Sequence, residues 1–161
     1  PDIAVYGIDI AKPAIKLAAA AYPEHHYAVA GSSHLPIETD SIDFALCVFA
    51  PIDDEELIRV LSSGGYYLEV GPAPRHLWAL REALYDEPRE HAVKQREISG
   101  ATLVSEGQCQ HEQTLDNVLI NALVMATPFA YRGHREKRAA LLARENMALA
   151  MAFSWRLFQK I

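Results

Sequence analysis

The sequence predicts an α/β domain in which parallel strands are joined by right-handed crossovers. Three observations lead there. Short, β-prone apolar runs alternate with helical segments along the chain. The run at 42–49 is almost continuously apolar after Asp43, the pattern of a strand covered on both faces. The chain has 161 residues, 50% of them hydrophobic and 22% charged, which fits one domain, 1–161, with a sizeable core.

The elements follow in order. Residues 3–10 read as a strand through Ile3, Val5, Ile8 and Ile10, with Gly7 allowing a close approach. Residues 12–22 are alanine-rich and helical; Pro13 sits in the first turn, where its missing N–H costs little, and Pro23 stops the helix. A short strand at 27–30 ends in the turn Gly31-Ser32-Ser33, and the apolar strand at 42–49 comes next. Asp53-Asp54-Glu55-Glu56 supplies an N-cap and an acidic first turn to a helix reaching Leu61. Gly64-Gly65 are read as its end, with a strand at 66–70. After Gly71-Pro72-Ala73-Pro74 a helix is expected at 76–85, a polar loop at 86–100 and a strand at 101–108. Helices at 116–125 and 136–147 and a closing strand at 148–158 complete the pattern.

Composition narrows the function. The hydrophobic fraction excludes wholesale disorder, and no collagen-like or heptad repeat exists to make a fibre. Cys47 and Cys109 cannot build a disulfide framework or a four-cysteine zinc site, and no metal is expected. No apolar run approaches the ~18 residues a spanning helix needs, so no membrane partner is expected and the cytoplasm is the expected location. The net charge of −6 is unevenly placed: residues 1–127 carry −11 and residues 128–161 carry +5. That basic segment (Arg132, Arg135, Lys137, Arg138, Arg144, Arg156 and Lys160) reads either as a surface for an anionic partner or as a solvated helix face.

The sharpest local feature is Gly7-Ile8-Asp9-Ile10 at a strand's carboxyl end. Ligands of doubly wound sheets bind at such ends, and a carboxylate there can accept both hydroxyls of a ribose. Asp9 can equally cap the helix that begins near Lys12. Further on stand Gly31-Ser32-Ser33-His34-Leu35-Pro36, an acidic tip at Asp40, and Ser41-Ile42-Asp43 opening the apolar strand. This arrangement resembles the class I S-adenosylmethionine-dependent methyltransferases, with their Rossmann-like α/β sheet. The resemblance implies S-adenosyl-L-methionine as cofactor, bound by Asp9 and Ile10, with Asp9 at its ribose and Ser32, Ser33 and His34 near adenine. It also implies Phe49-Ala50-Pro51 as the floor of the reaction site.

A closer resemblance runs through GIDIAKPAIKLAAAAYP, AGSSHLP, FAP, GGYYLEVGPAPRHLWALREALY and MATPFAYRG. These stretches are similar to the bacterial ribosomal large-subunit guanine-N1 methyltransferases, which modify a hairpin of 23S rRNA and include relatives linked to macrolide resistance. The Pro-Arg-His-Leu run at 74–77 and the Thr-Pro-Phe-Ala-Tyr-Arg run at 127–132 are its more specific parts. The resemblance implies cofactor contact by His76; an ordinary exposed imidazole opening a helix is the competing reading. It implies a 23S ribosomal RNA substrate, met by Tyr131, Arg132 and Arg135 with Phe49, Ala50 and Pro51; a homodimer is compatible with it.

The family's glycine-rich cofactor loop, its first strand and its N-terminal zinc module have no counterpart in the sequence. The expectation is therefore a sheet truncated at its N-terminus, the C-terminal two-thirds of a longer enzyme, with unpaired backbone groups where the first strand belongs. A shortened, inactive relative acting as a binding module is the alternative. So is a small-molecule methyltransferase of the same fold. A nicotinamide oxidoreductase lacks support, because no G-x-G-x-x-G is present. For chemistry, Glu69 is a candidate acceptor for the guanine N1 proton. Phe49, Phe129 and Tyr131 are candidates to stack on a base, with core the expected place for Phe49. Cys47 reads as a buried small hydrophobe.

Overall fold

The computed structural model describes residues 3–92, 96–131 and 134–161. Strands and helices alternate as β1 (Tyr6–Asp9), α1 (Lys12–Ala21), β2 (His26–Val29), β3 (Ile42–Val48), α2 (Asp54–Val60) and β4 (Leu61–Pro72). They continue as α3 (Trp78–Leu84), β5 (Ala101–Asp116), α4 (Asn117–Met125), a 3₁₀ turn at Pro128–Ala130, α5 (Arg135–Leu142) and β6 (Asn146–Lys160). The residues group into two compact units.

Unit 1 holds the residues up to Glu69 with Glu97–Ser105 and Leu157–Ile161. Its strands fall into two separate sheets. β1 and β2 pair in parallel, Tyr6 opposite His26 and Asp9 opposite Val29. The other sheet has the order β3-β4-β6-β5. A Cβ on Gly7 would lie 2.6 Å from the Tyr27 ring, so only glycine fits that crossing. The core of the unit is Leu57, Leu61, Tyr67, Ile98 and Phe158, with Tyr67 stacked on Phe158 at 6.1 Å. No residue of α1 is buried. β3 is covered on one face only: Ala45 and Cys47 pack on the core, whereas Phe44, Leu46 and Val48 are exposed. This corrects the expectation of a strand buried on both faces. Continuous apolar character records what a strand can bury, and the described residues cover half of it.

Two further boundaries differ from the sequence reading. α2 ends at Val60 because Leu61 is already extended, at φ −66° and ψ 135°. Gly64 and Gly65 therefore lie inside β4 and do not stop the helix. Gly64 takes φ 75°, and a Cβ on Gly65 would sit 2.8 Å from the Ser62 carbonyl, so the pair makes an irregularity within the strand.

Unit 2 holds Val70–Arg96 and Glu106–Arg156. Its core joins Leu77, Leu80 and Leu84 to Ile120, Val124 and Leu141, with Leu115, Phe129, Met147 and Leu149. β6 runs opposite to β4 here, since Ala73 N–H donates to Ala152 O and Leu77 N–H to Ala150 O. β5 extends eight residues beyond the expected Gln108, reaching Asp116. The added residues are mostly polar and exposed, which suits the last strand of the sheet order. α5 stops at Leu142, short of the expected 147, because Met147 is buried as the second residue of β6.

Candidate cofactor and substrate site

The predicted cofactor residues of unit 1 come together. Asp9 ends β1, and its carbonyl accepts from Ala30 N–H at 3.2 Å, tying the ends of β1 and β2. Its Oδ1 accepts the Ala11 N–H at 2.7 Å, closing the turn that leads into α1. The N-cap of α1 is Ala11, so Asp9 does not cap the helix. Oδ2 takes no hydrogen bond among the described residues and stands exposed, leaving an acceptor for a ligand. Ile10 is 77% exposed, and a Cβ on Gly31 would lie 4.0 Å from its Cγ2. Ser32 and Ser33 form the following turn, closed by His34 N–H donating to Gly31 O at 3.4 Å. A carboxylate, an open apolar side chain and a polar turn thus share one carboxyl edge of a parallel pair. This donor set fits the sugar and base of an adenosine.

The segment after this turn is held by residues that the sequence reading passed over. Glu56 Oε2 accepts the Leu35 N–H at 2.9 Å. Arg59 donates from Nη2 to Leu35 O at 3.0 Å and from Nη1 to Ile37 O at 2.8 Å and Thr39 Oγ1 at 3.3 Å. The two side chains also form a two-point pair, Nε to Oε1 at 2.8 Å and Nη2 to Oε2 at 2.9 Å. The Arg59 hydrogen bond, then that from Leu35, brings the Glu56 carboxyl down to about 2.

Phe49, Ala50 and Pro51 follow β3 and are exposed. Phe49 takes φ 54°, a conformation rare for an aromatic residue, and is 50% exposed. It is therefore not core, which corrects the sequence reading: the left-handed residue breaks the strand before the ring can join the packed face. Cys47 is partly buried, and its Sγ donates to Ala50 O at 3.2 Å. Glu69 is partly buried on β4.

In unit 2, His76 lies before α3, its Nδ1 2.6 Å from Ala152 O and its ring 5.0 Å from that of Phe153. Burial pushes its pKa down; the Ala152 contact opposes this and the Arg81 charge adds to it. The imidazole is thus a partly buried, neutral group at pH 7, not the exposed one of the competing reading. Tyr131 is 86% exposed and Phe129 only 9%, so Tyr131 is open to a ligand and Phe129 is core. Arg135 begins α5 and is exposed, whereas Lys137 and His134 both engage Asp86, His134 at 3.0 Å. Arg132 lies outside the described residues.

No family model matches the sequence. A Bacillus subtilis (strain 168) protein assigned as a 23S rRNA (guanine-N(1)-)-methyltransferase is 29% identical over 140 residues, covering 84% of this chain and 50% of that protein. The 23S rRNA (guanine(748)-N(1))-methyltransferase of Streptomyces fradiae is 41% identical over 78 residues, 48% of this chain and 28% of that one. The chain thus spans half the length of the first relative and less of the second. Among solved structures, a Bacillus halodurans protein assigned as a methyltransferase matches with TM-score 0.62 at 15% identity, over 98% of this chain and 83% of that one. An S-adenosylmethionine-dependent methyltransferase of Methanosarcina mazei matches with TM-score 0.51 at 16% identity, over 98% of this chain and 82% of that one. The fold is the Rossmann-like fold of class I methyltransferases. In sequence, the chain is similar to the two proteins named as 23S rRNA guanine-N1 methyltransferases.

Proposed function

We propose that the chain is the C-terminal part of an S-adenosyl-L-methionine-dependent methyltransferase catalytic domain that methylates guanine N1 in a hairpin of 23S rRNA in the cytoplasm. The observation that carries this reading is the meeting of Asp9, Ile10 and the 31–34 turn at one carboxyl edge, in a chain related to enzymes of that name. The cofactor supplies a methyl group on a cationic sulfonium. Asp9 Oδ2 would hold its ribose, and Ile10 with Ser32, Ser33 and His34 would hold the rest of its adenosine. The −11 charge of residues 1–127 favours a cationic donor. The split between the β1-β2 pair and the other sheet, with β1 and β3 each at the end of its sheet, supports a further strand between them.

RNA contact is assigned to Tyr131, Arg132, Arg135 and Arg138, a local basic patch on a molecule whose overall charge repels phosphate. Lys137, held by Asp86, contributes little. Phe49, Ala50 and Pro51 offer a surface for the target base. Changing Arg135 and Arg138 to Glu is expected to weaken binding of a 23S rRNA hairpin transcript. The logarithmic salt slope should fall by roughly 0.7–0.9 for each phosphate that is no longer neutralised. An unchanged slope places RNA recognition elsewhere and leaves 134–144 a solvated helix face.

A further inference from the structure

We propose that Glu56 and Arg59 are positioning residues whose clasp on residues 35–39 holds the neighbouring 31–34 turn in its cofactor-binding shape. This rests on the cofactor reading above and adds to it two residues bonded to the segment beside the candidate edge.

The connection from β2 to β3 spans residues 30–41 and contains no helix or strand. Its side chains bury little, so packing alone cannot fix it. Its hydrogen bonds converge on one helix instead. Arg59 reaches three of its oxygens, and Glu56 takes the Leu35 N–H, one residue beyond His34. The Arg59 carbonyl also accepts Asp40 N–H at 2.9 Å, and the next carbonyl, of Val60, accepts Ser41 N–H at 3.0 Å. Asp40 takes φ 53°, and Lys160 fixes its carboxylate at 2.5 Å. The far end of the connection is thus held independently of the Arg59 side chain. Ser41 Oγ donates to Glu38 O at 2.7 Å, so the 38–41 end is also held locally. The Leu35 end is held by the clasp, and through Leu35 so is the orientation of the turn before it. Both clasp residues project from the first two turns of α2, which Leu57 and Val60 anchor in the core of unit 1. A rigid helix therefore presents a planar fork to a soft loop, which a lysine's point charge cannot imitate.

The test uses the chain itself in three variants, Arg59→Ala, Arg59→Lys and Glu56→Gln, with circular dichroism to establish that each folds. Amide exchange is read over residues 31–41, and S-adenosyl-L-homocysteine affinity by titration into the millimolar range. Arg59→Ala is expected to speed exchange at 35–39, leaving Asp40 and Ser41 protected. It should weaken the ligand roughly tenfold, as when the competent loop is populated about a tenth of the time. Arg59→Lys restores part of both effects, and Glu56→Gln loosens chiefly the Leu35 amide. Faster exchange with unchanged affinity overturns the clasp's role, as does weaker affinity without faster exchange. Failure of the unaltered chain to bind S-adenosyl-L-homocysteine at all overturns the cofactor reading, and the inference with it.

Discussion

Joining the chain to the N-terminal portion of its Bacillus subtilis relative is expected to raise its affinity for S-adenosyl-L-homocysteine by about a hundredfold or more. β1 and β3 belong to different sheets in unit 1, and Phe44, Leu46 and Val48 stand exposed on β3. A parallel strand between β1 and β3 would pair backbone groups left open at both edges. A glycine-rich turn at its carboxyl end would bring backbone N–H donors to the amino-acid end of the ligand. Two charge-assisted hydrogen bonds at roughly 1.5 kcal/mol each amount to about a hundredfold in affinity. Calorimetric titration of the chain with and without the added segment measures this directly. Equal affinities would mean that the pocket is misplaced.

The second large effect is expected at Asp9. Asp9→Asn keeps an oxygen for the Ala11 N–H, so the turn into α1 survives. It replaces the second acceptor with an amide donor and removes the charge. In the joined protein, S-adenosyl-L-homocysteine should weaken roughly tenfold to hundredfold, the range for one charge-assisted hydrogen bond. Adenine alone, which has no ribose diol, should bind both forms equally. A matching loss for adenine would show that Asp9 acts only by shaping the loop.

Much of this was legible from local chemistry. Pro13 and Pro23 bracket α1, Asp53 and the carboxylates after it open α2, and Asp9 stands where a β-prone run gives way to a helix. These signals act over a few residues, and the structure places them close to where they were read. Signals that depend on distant partners were not legible. Gly64 and Gly65 resemble a helix stop, yet Gly65 is required by the Ile42 and Ser62 carbonyls beside it. The polar run Gln110–Thr114 resembles a loop, yet it extends an edge strand, where polar side chains meet solvent. The i,i+3 spacing of Glu56 and Arg59 could be read as an ion pair, but its acceptors lie 20–24 residues away in the chain. The exposure of Phe49 follows from a single backbone torsion, which no apolar pattern encodes. Of the candidate site residues, the structure brings Asp9, Ile10, Ser32, Ser33 and His34 to one edge of unit 1, and His76 is partly buried in unit 2.

The most direct test of the central claim is a methyl-transfer assay. The chain, joined to the N-terminal portion of the Bacillus subtilis relative, is incubated with methyl-labelled S-adenosyl-L-methionine and a 23S rRNA transcript, which is then digested to nucleosides and separated by mass and retention. Label in 1-methylguanosine, lost in Asp9→Asn and reduced in Arg135→Glu/Arg138→Glu, is the expected result. Label in a different nucleoside, or no label in RNA from a protein that binds the cofactor, would contradict it.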